Sequence, residues 1–249
     1  MKRFTFPGLL FFAAMAFFLT SCGGGGTKEE TPAADSVTAE TTTTPAAPEV
    51  VNTIITTPQN MMTAVHKVAN FAKWKASYDE HDSMRLANGI HSYVIGRGFN
   101  DTNMVLVAVK AEDMTKAKAF AKDPSLKKAM EKGGVKGAPM MSFSTTVWQD
   151  TSVLSPDIIR SRTEFNVKDW ATWEKSFVEG RQMRKDNGVV DRAYGHDPDN
   201  DKKVFLVTAL TDTAKAFAFY KSDELKKRRE AGGVIGEPKR FLFKVVQRY

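Results

Sequence analysis

Residues 131–139 read EKGGVKGAP, and residues 230–238 read EAGGVIGEP. The two phrases stand 99 residues apart, and the same offset aligns most of both halves without a gap. Val68-Ala69-Asn70-Phe71-Ala72-Lys73-Trp74 matches Val167-Lys168-Asp169-Trp170-Ala171-Thr172-Trp173. Met84-Arg85 matches Met183-Arg184, Asn88-Gly89 matches Asn187-Gly188, and Leu126-Lys127-Lys128 matches Leu225-Lys226-Lys227. This period is too long for a solenoid unit and suits a small domain. Glycine-rich phrases can cradle phosphate, but only at a helix N-terminus, where free N–H groups point outward. Both phrases follow the C-terminal ends of predicted helices. They mark where the chain leaves a helix for a strand.

Each copy reads β-α-β-β-α-β. In the first, Ala64–Val68 is a strand, and Asn70 caps a helix running to Asn88, where Gly89 stops it. Strands 90–96 and 104–111 flank an Asn100-Asp101-Thr102-Asn103 turn. Asp113 opens a second helix, continued after Asp123-Pro124, and 141–148 closes the unit. The second copy follows with 159–165, helix 168–187, strands 189–196 and 204–210, helix 212–231 and strand 240–246. This is an α+β fold of two ferredoxin-like repeats, 61–150 and 151–249. MVLVAV (104–109) and VFLVTAL (204–210) are apolar on both faces. A half-solvated sheet alternates instead. Helices cover one face, so the two antiparallel sheets are expected to cover each other, which makes the chain an intrachain pseudo-dimer and a monomer in solution.

The N-terminus has a different character. Residues 1–22, MKRFTFPGLLFFAAMAFFLTSC, have the basic start, apolar run and small-residue junction of a secretory signal. Leu19-Thr20-Ser21-Cys22 resembles the bacterial lipobox, and Cys22 is the single cysteine of the 249-residue chain. An ordinary signal peptide with an incidental cysteine is the alternative; acylation of Cys22 explains a lone thiol at the junction better. Residues 23–60, rich in Thr, Ala, Pro and Glu, read as a disordered linker. The expected location is therefore the bacterial cell envelope, lipid-anchored at the outer membrane or a periplasmic face. The formal charge of +7 raises nucleic acid as a partner, and an exported lipoprotein argues against it. Lys127-Lys128 and Lys226-Lys227-Arg228-Arg229 fall late in predicted helices, where cations complement the dipole on a solvated face. Attraction to an anionic membrane surface is the other reading.

The pattern V-x-[ND]-[FW]-x-x-W, a helix ending in [ND]-G, A-x-x-F before a [DS]-x-x-L-K helix, and the terminal G-G-V-x-G-x-P phrase resemble the dimeric α+β-barrel superfamily, in particular antibiotic-biosynthesis-monooxygenase-like domains. The likeness spans 61–249. It implies two units paired through their sheets, with ligands held between each sheet and its helices. Relatives include cofactor-free oxygenases and haem-degrading proteins, so the resemblance implies a fold more firmly than an activity.

At about 100° per residue, Trp74, Ser77, Met84, Arg85 and Asn88 share one stripe of the first helix, and their counterparts in the second copy are identical. A core-facing stripe with Arg85 at its edge is the plain explanation. A tryptophan floor with an arginine at the rim would also suit a planar, partly anionic ligand. Candidate ligand-binding residues are Trp74, Tyr78, His81, Arg85, Trp173, Phe177 and Arg184; His81, Tyr78 and Arg85 form a polar group that could be catalytic. His66, His81, His91 and His196 lack metal-ligand spacing, so no metal and no cofactor is expected. Three readings follow. They are a tethered module binding a small apolar or aromatic molecule, which is favoured, a cofactor-independent monooxygenase-like enzyme acting on an aromatic substrate, and a structural envelope protein. An open pocket with a buried histidine would point to the enzyme, an apolar pocket to the binding module, and filled clefts to the structural head.

Overall fold

The computed structural model describes residues 52–249. Cys22, the signal 1–22 and linker residues 23–51 lie outside the described residues. The first repeat runs β1 (Ile54–Ile55), β2 (Gln59–Val68), α1 (Phe71–Glu80), α2 (Asp82–Leu86), β3 (Ile90–Gly98), β4 (Met104–Ala111), α3 (Met114–Phe120), α4 (Pro124–Lys132) and β5 (Val135–Asp150). The second runs β6 (Ile159–Val167), α5 (Trp170–Glu179), α6 (Arg181–Asp186), β7 (Val189–Asp197), β8 (Asn200–Leu210), α7 (Thr213–Tyr220), α8 (Asp223–Ala231) and β9 (Val234–Arg248).

The helix signals read from sequence are met. Asn70, Asp113, Asp169 and Asp212 each accept a backbone N–H three residues on, satisfying a donor the first turn leaves free. Gly89 and Gly188 stand at φ 66° and 71° just past the first helical segments, a conformation in which other residues strain.

The strands form one nine-stranded sheet in the order β1-β5-β2-β4-β3-β9-β6-β8-β7, and β7 returns to pair with β5. The last pairing closes a barrel. Two seams join the repeats, β3 on β9 and β5 on β7, all antiparallel. The doubly apolar strands are explained by this closure. Val105, Val107 and Val109 of β4 face the helices with Trp74 and Phe120, while Leu106 and Ala108 face inward with Val65, Val94 and Phe243. In β8, Val204 packs on the helix side with Trp173, and Val207 packs inside the barrel.

Glycines make the seam possible. Gly195 pairs with Thr146, and a Cβ there would stand 2.7 Å from the Thr146 Cα and closer still to the Thr145 carbonyl oxygen. Since the obstacle is backbone, no side chain can swing clear. Gly195→Ala is expected to lower stability by about 2 kcal/mol or more, measured by denaturant unfolding, with Gly137→Ala as a contrast because a Cβ there meets nothing. That contrast carries only the strain of its positive φ.

The structure corrects several expectations. Ile54–Ile55 and Gln59-Asn60, assigned to the linker, are strand. The helix expected over 70–88 is two, broken at His81, and that over 168–187 breaks at Gly180. At each break an arginine from the second segment donates its Nη1 to a carbonyl in the first: Arg85 to Tyr78 O and Arg184 to Phe177 O, both at 2.7 Å. A side chain inserted at a helix carbonyl is a recognised cause of such interruptions. The helix expected over 212–231 is likewise two, with Ser222 capping the second. The closing strands are longer than expected and take in the second half of each glycine phrase, from Val135 and Val234 on. Gly137 and Gly236, at φ 71° and 68°, lie where three residues of β5 or β9 oppose one of β2 or β6. The single residues opposite these bulges are His66 and Phe165.

Candidate functional site

Each repeat holds an open cleft between its helices and the outer face of its sheet. The first encloses about 610 Å³ including its mouth. Met62, Ala64 and His66 of β2 and Val107 and Val109 of β4 form its floor; Trp74, Ser77, Tyr78, His81, Met84 and Arg85 form one wall, and Phe120, Leu126, Ala129 and Met130 the other. The second, about 730 Å³, repeats this plan around Trp173, Ser176, Phe177, Met183 and Arg184. All seven candidate ligand-binding residues read from the first helix of each repeat line these clefts. Trp74 and Trp173 are each 4% exposed, and each stacks on the aromatic ring one turn on, Tyr78 at 5.3 Å and Phe177 at 5.0 Å between centroids.

The arginines are not at the rim. Arg85 and Arg184 are 5% and 6% exposed, and each guanidinium lies 3.6 Å from the centroid of the neighbouring ring, Tyr78 or Phe177. Their counterions differ. Arg85 donates to Asp82 at 2.8 Å. Arg184 is held on both sides by Asp191 of β7, Nε to Oδ1 at 2.8 Å and Nη2 to Oδ2 at 2.6 Å. The residue matching Asp82 is Arg181, and the residue matching Asp191 is Ser92, whose hydroxyl instead meets the Tyr78 phenol at 2.7 Å. Arg181 Nε also reaches Asp191, at 3.2 Å. Each cleft thus places one acid beside its arginine, from a helix in one repeat and from a strand in the other.

The polar group proposed as catalytic does assemble in the first cleft. His81 Nδ1 donates to Ser77 O at 2.6 Å, which leaves Nε2 as the acceptor. Burial raises the Tyr78 phenol pKa, against the pull of Arg85, so Tyr78 stays protonated at neutral pH. The sequence reasoning missed the more unusual histidine. His66 is 3% exposed, sits 5.6 Å from Trp74, and neither ring nitrogen has a hydrogen-bond partner. Burial pushes its pKa down to about 4, so the imidazole is neutral near pH 7. Arg85 Nε is also buried and unpartnered. Four buried side-chain atoms among the described residues lack a partner, and three of them belong to the lining of this cleft.

The second cleft replaces this chemistry. Phe165 stands where His66 does, and Gly180 where His81 does. On its far wall, Arg228, Arg229 and Arg240 replace Ala129, Met130 and Met141. Arg228 and Arg229, read from sequence as part of a solvated helix face, are half-buried against the cleft. Burial lowers the pKa of Arg229 and Arg240, and each is flanked by Tyr220, over whose ring Arg240 lies at 3.6 Å. Among the described residues, no group of three His, Cys, Asp or Glu side chains is placed to hold a metal ion.

A ring of eight strands made by two βαββαβ units, each with its helices packed outside, has known counterparts. It matches a provisionally assigned monooxygenase from Fusobacterium nucleatum with a TM-score of 0.51, at 12% identity over 76% of this chain and 93% of that one. An anthrone oxidase-like protein matches with 0.53, at 13% identity over 79% and 95%. A provisionally assigned chlorite dismutase matches with 0.50, at 15% identity over 77% and 96%. The fold is a dimeric α+β barrel. Here both halves of the barrel come from one chain, as expected from the 99-residue repeat. No protein-family model matches the chain, and no curated protein matches it in sequence. At such identities the likeness fixes the barrel and leaves its chemistry to be argued from the cleft residues.

Proposed function

We propose that the protein is an enzyme of the cofactor-independent oxygenase type, with the first cleft of the barrel as its reaction site. The observation that carries this is the trio of orphaned atoms, His66 Nδ1 and Nε2 and Arg85 Nε, in an otherwise apolar cleft. Buried polar groups without partners are costly and persist where a ligand completes them. A flat aromatic molecule with one acidic hydroxyl, or with a C–H made acidic by a keto group, fits the Trp74 and Tyr78 faces, with His66 as the base that takes its proton. A histidine with a pKa near 4 is a weak base in an empty cleft. Proton transfer from a bound acid leaves an imidazolium beside an anion, so the pair is neutral together and the burial penalty falls. The Arg85 N–H is suited to the developing oxyanion. Dioxygen would then oxidise the deprotonated ring carbon, one oxygen atom becoming the new ring carbonyl and the other leaving as water with that carbon's second hydrogen and the proton held by His66. The monooxygenase and anthrone oxidase-like names of two structural counterparts agree with this reading.

The second cleft supports binding alone. It has no histidine at the base position, and Arg228, Arg229 and Arg240 suit an aromatic molecule carrying an anionic group. The proposal includes a location read from the sequence, in which acylated Cys22 tethers the barrel to an envelope membrane.

With 1,8-dihydroxyanthrone as probe, the protein is expected to consume dioxygen and form the anthraquinone faster than the uncatalysed reaction. Trp74→Ala should weaken probe binding about tenfold or more through lost stacking area. Saturable binding without turnover would reduce the function to capture, and no binding would remove the reading.

A further inference from the structure

A third cavity, about 840 Å³ with its mouth, lies inside the barrel rather than under the helices. It is strongly asymmetric in charge. Arg160, Arg162, Arg192 and Arg248 line it, all from the second repeat, where the first repeat presents Met61, Thr63, Tyr93 and Gln149 at the matching positions. Strand alternation puts Arg160, Arg162 and Glu164 on the inner face of β6 while Thr163 and Phe165 face the second cleft. Two of the four guanidiniums have carboxylates. Arg192 donates to Asp150 at 2.9 Å and to Ser152 Oγ at 2.8 Å, and Arg162 lies 3.6 Å from Glu164. Glu164 is shared with Lys203 at 3.1 Å.

The other two have none among the described residues. Arg160 is 3% exposed, and its one hydrogen bond is a long contact, 3.4 Å, to the carbonyl of Ile158. Burial, with the charges of Arg248 and Arg192 beside it, lowers its pKa from 12.5 to about 10. Arg248 is exposed and lines the same cavity, so the cavity opens at the end of the barrel where β9 finishes. A buried guanidinium with like charges for neighbours is a site lacking its anion, since a protein gains nothing by storing unpaired charge.

The geometry points to an anion-binding site in the barrel lumen that takes a phosphate dianion, free or as the monoester of a small apolar alcohol. Four guanidiniums against Asp150 and Glu164, the latter shared with Lys203, leave an excess of at least two positive charges for a dianion to meet. Planar guanidiniums present paired N–H donors that match phosphate oxygens. Leu106, Phe205 and Phe243 line the same lumen beside the arginines, which gives a monoester somewhere to place its apolar group. The site is separate from the clefts, whose residues face the other side of the sheet.

Titration of the full-length chain with inorganic phosphate and with phenyl phosphate, read by calorimetry and by thermal unfolding, tests this. One equivalent of phosphate is expected to bind saturably and raise the melting temperature. Phenyl phosphate should bind about tenfold more tightly. Arg160→Met, which installs the first repeat's residue, should weaken binding about a hundredfold, and Arg248→Gln, at an exposed position, about tenfold with the fold unaffected. His66→Phe should leave phosphate binding unchanged. Absence of saturable phosphate binding at millimolar concentration would overturn the proposal. So would Arg248→Gln and Arg160→Met variants that bind phosphate as the parent does.

Discussion

Asp191→Ala is expected to destabilise the barrel by about 3–5 kcal/mol, the cost of leaving a buried charge without its partner. The Asp191 side chain is 2% exposed and accepts from both Arg184 and Arg181. Its removal strands the Arg184 guanidinium, 8% exposed, against the Phe177 ring and beside the uncompensated Arg181. The first repeat indicates how the loss can be repaired. There Ser92 occupies the matching position, and the acid comes from Asp82, where the second repeat has Arg181. The double change Asp191→Ser with Arg181→Asp rebuilds that arrangement and should recover most of the stability. Denaturant unfolding of the two variants measures both, and equal instability would show that Asp191 acts through packing rather than charge.

His66→Phe is expected to reduce oxygenase turnover by about a hundredfold or more, the usual scale for a lost general base, while stabilising the fold at pH 7 by about 1 kcal/mol through removal of two orphaned nitrogens. Phe165 already occupies the equivalent place, so the barrel accepts the ring. The variant also carries a pH signature. His66 has a folded pKa of about 4 against an ordinary 6.5, so between those values the unfolded chain binds more protons. Stability attributable to this group is therefore full above pH 6.5 and falls as the pH drops towards 4, by roughly 3 kcal/mol in all. The difference between parent and variant isolates it, because the carboxylates held low by Thr, Ser, Lys and backbone donors titrate equally in both. A parent and variant with parallel pH profiles would show that His66 is hydrated or partnered.

The barrel was legible because duplication doubles every signal. Asn70 and Asp169, Gly89 and Gly188, and the doubly apolar strands each support the same order of elements, and two-faced strands require sheets that cover one another. The helix breaks were not legible, since they depend on Arg85 and Arg184 reaching back to carbonyls seven residues earlier. The seven candidate residues were found because a helical period brings them onto or beside one stripe without knowledge of the rest of the fold. The repeat register marks His66 as a one-copy residue, a histidine where the other copy has Phe165, but does not single it out from His81 or His91. The isolation of His66 depends on the β5 bulge, distant in sequence and unpredictable in register, and on how α1 folds back over the strand. Arg228 and Arg229 looked like a solvated helix face because a helix of nine residues with this charge is mostly exposed. Only the packing of α8 over the second cleft turns two of its cations inward. Arg160 and Arg162 alternate in RSRTEF (160–165), but whether that face is solvent or barrel interior is decided by closure.

The central claim is that His66 is a neutral, unpartnered base in an open aromatic cleft and takes a proton from what binds there. Imidazole ¹⁵N NMR of the labelled protein reads this directly, with His66→Phe identifying the resonance. At pH 6 the free protein should show a neutral His66, and a saturating hydroxyanthrone probe, kept under nitrogen, should convert it to imidazolium. A His66 already protonated at pH 6, or one whose signal is unchanged while the probe is fully bound, would contradict the account.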